Sequence, residues 1–333
     1  MRSISASGRR PVPEAAASAP RPTFNPDAEA RLAAALAPAE ISETEPAQAY
    51  TRRLTRTHYE NFSVVSLLLP KALRQDFCNV YAFCRIADDM ADELADQSRA
   101  LRLLAELRAQ TEACYAGHPR TRLFVALAST IERHQVPMQP FLDLIDAFEQ
   151  DQRVDRYDTF AQLVDYCRRS ADPVGRLVLY MCGYRDAERH RLSDRTCTAL
   201  QLTNFWQDVR RDLLDRNRVY IPRESLDQFG VSESQIRQGT FDDRFIALMR
   251  FEVDRTQKLF DEGSRLPPML NAKVRRHIAL FGQGGEAILQ AIRRQRYDTL
   301  SRRPTLSRWQ KTRLILAAVG AGVAGSLARG NAA

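Results

Sequence analysis

Two stretches of the sequence set carboxylates one helical turn apart beside apolar residues. The first is Arg85-Ile86-Ala87-Asp88-Asp89-Met90-Ala91-Asp92-Glu93. Phe77, Val80, Tyr81, Cys84 and Ala87 recur upstream at helical spacing, and Asp88 extends that stripe about three turns beyond Phe77. Asp92 follows one turn on. Unpaired carboxylates on a core-facing stripe are costly and repel each other, and a divalent cation removes both penalties. Oxygen donors without His or Cys suit magnesium better than zinc. The plain alternative is the wet end of an ordinary helix.

The second stretch holds Gln201, Asn204, Asp208 and Asp212, whose spacing puts all four on one helical face. Leu200, Leu202, Phe205, Trp206 and Val209 border that face, so it is not wholly exposed. Two such rows facing across a cavity make a paired clamp, in which Mg2+ ions bridge to a diphosphate and make the crowded carboxylates tolerable. A diphosphate on an allylic or cyclopropylcarbinyl carbon departs when its developing charge is neutralised. Arg85 is either a phosphate ligand or a partner of Asp89 or of the other acidic helix. Arg218 and Tyr220, in Asn217-Arg218-Val219-Tyr220-Ile221-Pro222, either close the diphosphate end or belong to a charged loop. The remaining cation needs a dry pocket. Phe62, Phe83, Val174, Leu177, Leu202 and Phe205 are candidates for its walls, with ordinary core packing as the alternative for each. Tyr166 stands out because it precedes Asp172-Pro173, where a kink brings its hydroxyl toward the reacting carbon.

These residues need helices to position them, and the pattern is helical nearly throughout from Tyr59 to about residue 312. The spacing predicts helices over 71–92, 97–116, 121–133, 138–148, 158–181, 191–213, 242–262 and 271–298. Gly117-His118-Pro119, Val136-Pro137 and Pro267-Pro268 punctuate the series. The expected class is all-α. Residues 1–50, rich in Ala and Pro, read as a disordered lead-in, 51–312 as the catalytic domain, and 313–333 as an apolar tail. With 333 residues, 44% of them hydrophobic, the chain can bury a sizeable core. The six cysteines form no CxxC pair and no cluster of zinc-finger spacing, which reads as free thiols in a reducing compartment. No signal peptide, P-loop or dinucleotide-binding glycine pattern stands out.

The net charge is +8. Between Asn271 and Arg313 eleven Lys or Arg face only Glu286 and Asp298, and Trp309 and the apolar run 314–328 accompany them. That combination suits an anionic bilayer surface, although a basic helix end in water is the alternative. The run is short of the roughly 20 residues a span needs. Base-reading or stacking elements for a nucleic acid are missing.

Taken together, these motifs resemble the squalene/phytoene synthase family over about residues 55–310. Asp88-Asp89-x-x-Asp92 with Arg85 is similar to its first aspartate-rich motif. Gln201-x-x-Asn204-x-x-x-Asp208-x-x-x-Asp212 is similar to its second, and Arg218-Val219-Tyr220-Ile221-Pro222 to the segment that follows. The resemblance implies an isoprenoid synthase-type helical bundle around a central cavity, with a diphosphate bound through Mg2+. It makes Asp88, Asp92, Asn204, Asp208 and Asp212 metal ligands, Arg85, Gln201, Arg218 and Tyr220 diphosphate contacts, and Tyr166 catalytic. Within the family the chain resembles the hopanoid-pathway hydroxysqualene synthase branch. His58-Tyr59-Glu60-Asn61-Phe62-Ser63-Val64 carries that likeness, as does Ser170-Ala171-Asp172-Pro173-Val174-Gly175, where two-step enzymes have Val-Ala-Gly-x-Val-Gly. The branch implies presqualene diphosphate as substrate, water capture as the ending, with Tyr166, Asn204 and Asp172 as candidates for placing that water, and no NADPH. It also implies a partner synthase that supplies the substrate and a cytoplasmic place on the inner face of the cell membrane. The alternatives are a head-to-head prenyl transferase making presqualene diphosphate, squalene or phytoene, and a non-catalytic helical lipid-binding or scaffold protein.

Overall fold

The computed structural model describes residues 26–58, 70–94 and 96–307. Among these residues the chain is helical, with isolated bridges at Pro38–Thr121 and Arg156–Val219 and no strand. The series begins with α1 (Pro26–Leu36) and α2 (Thr44–His58). Pro70 and one 3-10 turn lead into α3 (Arg74–Asp92). Then come α4 (Gln97–Tyr115), α5 (Arg122–His134), α6 (Gln139–Asp151), α7 (Phe160–Ser170) and α8 (Asp172–Met181). The second half holds α9 (Ala187–Gln207), α10 (Val209–Arg216), α11 (Arg223–Phe229) and α12 (Glu233–Gln238). It ends with α13 (Asp243–Gly263) and α14 (Ala272–Arg294).

Local chemistry sets several of these ends. Asp96 accepts hydrogen bonds from the first free amides of α4, and Asp242 does the same for α13. Thr159 and Gln162 form a reciprocal capping box at α7. Asn217 ends α10 with a left-handed φ of 52°, which suits asparagine and turns the chain back toward the helix. The amide of Arg218 then donates to the carbonyl of Asp212 at 3.0 Å, so the residues after α10 return to the second acidic row.

Two large apolar clusters hold the helices together. One joins α1 to α6 with part of α8, and Phe83 meets Phe124 and Phe141 edge-on at its centre. The other gathers α7, α9 and the helices after it around Trp206, Phe245 and Leu289. The Trp206 indole donates to Thr256 at 2.8 Å, which removes the cost of burying its N–H. Each fully buried large side chain contributes roughly 2–3 kcal/mol. Gly175 lets α8 cross α9 closely, since a Cβ there would collide with Ser193 Oγ and Cys197 Sγ.

Several expectations change here. Residues 26–50 are not a disordered lead-in: α1 and the first seven residues of α2 lie there, and Leu32 and Tyr50 join the first core. An Ala-rich amphipathic segment of low aromatic content needs a tertiary partner to be helical, and α3 and α5 supply it. The 158–181 helix divides at Ala171, with Pro173 placed in the first turn of α8, where its missing N–H costs nothing. The 191–213 helix also divides, at Asp208 (φ −112°, ψ 16°). The short helices α11 and α12 were not expected. All six cysteines are free thiols. Among the described residues no helix is long and apolar enough to cross a membrane. Residues 1–25, Phe62 with most of the His58–Val64 motif, Trp309 and the 314–328 run lie outside the described residues.

Candidate active site

The first acidic row occupies the last turns of α3. Phe77, Tyr81, Cys84 and Asp88 form one partly exposed face of that helix, while Val80 and Ala87 turn into the core. Asp88 therefore lines up with Phe77 as expected, but its side chain is 41% exposed. The fully buried carboxylate is Asp89, at 0%. Arg31 of α1 grips it with two nitrogens at 2.6 and 2.8 Å, and Arg85 adds a third contact at 2.6 Å. Arg85 also reaches Asp88 at 3.3 Å. The pairing with Asp89 has a plain cause: a buried Asp89 demands compensation and Arg85 lies one turn away.

Asp92 is held from the other half of the molecule. Arg218 donates to its Oδ1 at 3.2 Å and Arg216 to its Oδ2. A second nitrogen of Arg218 donates to the carbonyl of Asp151 at 3.0 Å. Arg218 also joins the Asp212 carbonyl through its amide, and Arg216 lies in the fields of both Asp92 and Asp212, so the ends of the two rows lie near each other. In the second row, Arg303 takes Asp208 with two nitrogens at 2.6 and 2.8 Å. Gln207 alongside donates to the carbonyl of Pro304, which straps the segment after α14 across the end of α9. Asp212 has no ion pair among the described residues, and the side chains of Gln201 and Asn204 make no hydrogen bond there.

Two carboxylates facing the site are held far from their ordinary behaviour. Desolvation by the surrounding protein, although the Asp88 side chain keeps part of its surface open, and then repulsion from Asp92 push Asp88 up to about 7, against the pull of Arg85. Burial, and then Asp208, pushes Asp212 up to about 7. Both are acids lacking enough positive charge, the environment a divalent cation relieves. The oxygen-only donors Asp88, Asp92, Asn204, Asp208 and Asp212 fit magnesium in kind. Among the described residues, however, no three carboxylates gather around one point as a ready-made ion site, because arginines occupy Asp92 and Asp208.

Beside the acidic rows stands an aromatic wall. Phe205 and Tyr220 stack at 3.7 Å and 7°, Tyr166 lies 6.2 Å from Tyr220, and Tyr157 lies 5.5 Å from Tyr166. Tyr166 is 3% exposed, and its hydroxyl donates to Asp151 Oδ2 at 2.9 Å. Asp151 Oδ1 is buried without any partner, and burial pushes this carboxyl up to about 7. Asp172 is buried elsewhere, at the crossing of α8 and α9, and accepts from Thr198 at 2.8 Å. Of the proposed wall residues, Phe205 faces this region, Phe83, Leu177 and Leu202 are core, and Val174 is exposed.

Sequence reasoning missed Asp151, Arg31, Arg216 and Arg303. Asp151 sits in Glu149-Gln150-Asp151-Gln152, which reads as a polar helix end. Arg31 lies in a segment whose Ala- and Pro-rich, aromatic-poor composition reads as a disordered lead-in, and Arg303 figured only as charge.

The geometry and the helical architecture define an enzyme class, and the comparisons agree. A profile described as squalene/phytoene synthase matches residues 55–310. The chain belongs to the squalene/phytoene synthase family, and it is an enzyme of that family. It is 31% identical over 272 residues to a 15-cis-phytoene synthase of Synechococcus elongatus, covering 78% of this chain and 88% of the relative. It is 35% identical over 210 residues to a hydroxysqualene synthase of Sinorhizobium fredii, covering 62% and 70%. The crystal structure of the squalene synthase HpnC from Alicyclobacillus acidocaldarius superposes with a TM-score of 0.74 at 49% identity, covering 77% of this chain and 96% of that one.

Proposed function

We propose that this protein converts presqualene diphosphate into hydroxysqualene and diphosphate. The observation that carries this reading is the joining of Asp92 to Arg216 and Arg218. It sets two acidic rows and two guanidiniums beside a dry wall that contains Tyr166. The relatedness to HpnC and to a hydroxysqualene synthase supports it, as does the Asp172-Pro173 helix break in place of a Val-Ala-Gly stretch. Asp88, Asp92, Asn204, Asp208 and Asp212 are the residues that would hold Mg2+, which when bound supplies charge for a leaving diphosphate.

The rest follows from the chain's own groups. Arg216 and Arg218 present fixed positive charge to the diphosphate oxygens, with Gln201 and Tyr220 alongside. The cyclopropylcarbinyl C–O bond breaks, the ring opens, and water bonds to the rearranged cation and loses a proton. The aromatic wall keeps other water away until that step. An oily substrate and product favour a peripheral position on the cytoplasmic face of the membrane. A separate synthase must supply the diphosphate.

The test is incubation of purified protein and Mg2+ with presqualene diphosphate, followed by mass analysis of the neutral lipid. Parallel reactions use farnesyl or geranylgeranyl diphosphate, with and without NADPH. An alcohol from presqualene diphosphate alone is the expected result. The phytoene synthases among the relatives favour a second reading, head-to-head condensation, and hydrocarbon made from the smaller diphosphates would establish it.

A further inference from the structure

Among the carboxylates beside the acidic rows, Asp151 has an oxygen that is buried and without a partner. Asp151 ends α6, a helix whose other inward residues, Phe141, Leu144 and Ile145, are core. Its Oδ2 accepts the Tyr166 hydroxyl hydrogen at 2.9 Å, and its Oδ1 is shut away from solvent with no donor. Its carbonyl is fixed by Arg218, which also holds Asp92. The carboxylate is thus locked to the diphosphate end of the site through its backbone, while its side chain faces Tyr166.

The direction of the Tyr166–Asp151 hydrogen bond decides what Tyr166 can do. A phenol hydroxyl has one hydrogen and two lone pairs. With the hydrogen given to Asp151, Oη is left as an acceptor only. An acceptor in an otherwise dry aromatic wall takes a hydrogen from a water molecule and turns that water's free lone pair outward. A structural aspartate, by contrast, satisfies both oxygens, because an unpaired buried acceptor costs roughly 1–3 kcal/mol.

We infer that Asp151 is the positioning residue for water capture: it aims Tyr166 Oη at the quenching water and receives the proton that the reaction releases. This rests on the reaction proposed above. The water oxygen forms a C–O bond to the cation with its own lone pair. The resulting oxonium passes one hydrogen to Tyr166 Oη as the Tyr166 hydrogen moves to Asp151 Oδ2. Charge and atoms balance, and no oxidant or reductant takes part. Burial raises the Asp151 pKa to about 7, so the carboxylate that accepts the Tyr166 hydrogen bond is basic enough to keep the proton it gains.

The experiment measures diphosphate release and the fraction of alcohol in the neutral lipid for wild type, Asp151→Asn, Asp151→Glu and Tyr166→Phe, with presqualene diphosphate and Mg2+. Asparagine keeps an oxygen for the tyrosine hydroxyl but cannot accept a proton. Phenylalanine keeps the aromatic packing. In Asp151→Asn the alcohol-to-hydrocarbon ratio should fall at least about tenfold from wild type, with partial recovery in Asp151→Glu, and Tyr166→Phe should lower the same ratio whatever it does to diphosphate release. The hydrocarbon arises when the uncaptured cation loses a proton to diphosphate. An unchanged ratio overturns the inference, as does diphosphate release falling in step with alcohol, since either places Asp151 outside the capture step. Wild type that makes no alcohol overturns the proposed reaction, and this inference with it.

Discussion

Arg218 donates to Asp92 across 126 residues of sequence and, with its other nitrogen, to the backbone of Asp151. One planar guanidinium thereby fixes the end of α3, the end of α6 and the return from α10. Lysine carries the same charge but cannot fork. Arg218→Lys should lower diphosphate release about 10- to 100-fold, as losses of groups that orient ligands do. Its urea midpoint should stay near that of wild type. A variant releasing diphosphate at the wild-type rate would show that the fork is dispensable.

Asp88 and Asp212 give the metal-free protein a pH signature. Their folded pKa values, about 7, lie above the ordinary carboxylate range, so the folded state binds more protons than the unfolded one between about pH 4 and 7. Stability from these groups is therefore fully present at low pH and is lost as pH rises through 7. Asp212→Asn should raise the Tm of the metal-free protein at pH 8 and raise it less at pH 5, inside the window where the loss has only begun, while abolishing diphosphate release. Thermal denaturation at both pH values checks this, and equal shifts at the two would contradict it.

The same protons compete with cations. Mg2+ should raise the wild-type Tm more at pH 8 than at pH 6, because below pH 7 a proton must leave before a carboxylate can coordinate. In Asp212→Asn the pH dependence of that Mg2+ effect should weaken. A Tm rise independent of pH would remove Asp88 and Asp212 from the ligand set.

His277 offers a test away from the site. It is 1% exposed, lies edge-on to Phe77 and Phe281, and neither ring nitrogen has a partner. Burial lowers its pKa to about 4, so it is neutral when folded, and its contribution to stability is lost as pH falls below about 6.5. His277→Leu should be at least as stable as wild type at pH 7 and should gain roughly 2 kcal/mol relative to it by pH 5. Urea denaturation at the two pH values reads the difference directly, and parallel stability curves would refute it.

Arg31 tests the buried pair in the same way. Arg31→Ala leaves Asp89 with Arg85 alone, and breaking one side of such a pair costs about 3 kcal/mol. A loss below about 1 kcal/mol would mean that Arg85 suffices.

The sequence made the two acidic rows legible because a helical period of 3.6 turns spacing into a face, and Arg216 and Arg218 bring Asp92 of one row near Asp212 of the other. It also made the Pro173 break legible, since proline restricts its own φ and its predecessor. The arginine partners were not legible. Arg31 and Arg303 reach Asp89 and Asp208 over separations of 58 and 95 residues, and no local period encodes such pairings. The shift of the buried role from Asp88 to Asp89 is one helical residue, about 100° of rotation, finer than a stripe drawn from apolar neighbours resolves. Asp151 escaped for a related reason: a carboxylate at a helix end has no signature until its neighbour's hydroxyl is seen to point at it.

Arg31 also bears on how this protein should be handled at the bench. The recognisable portion begins at residue 55, whereas the physical unit already includes residue 31 and the apolar contacts of Leu32, Tyr50 and Leu54. A gene trimmed to the shared portion would encode a protein with a half-compensated charge at its centre and an open flank over α3. Kinship and self-sufficiency have different borders in this chain, and the wider border is the one to clone.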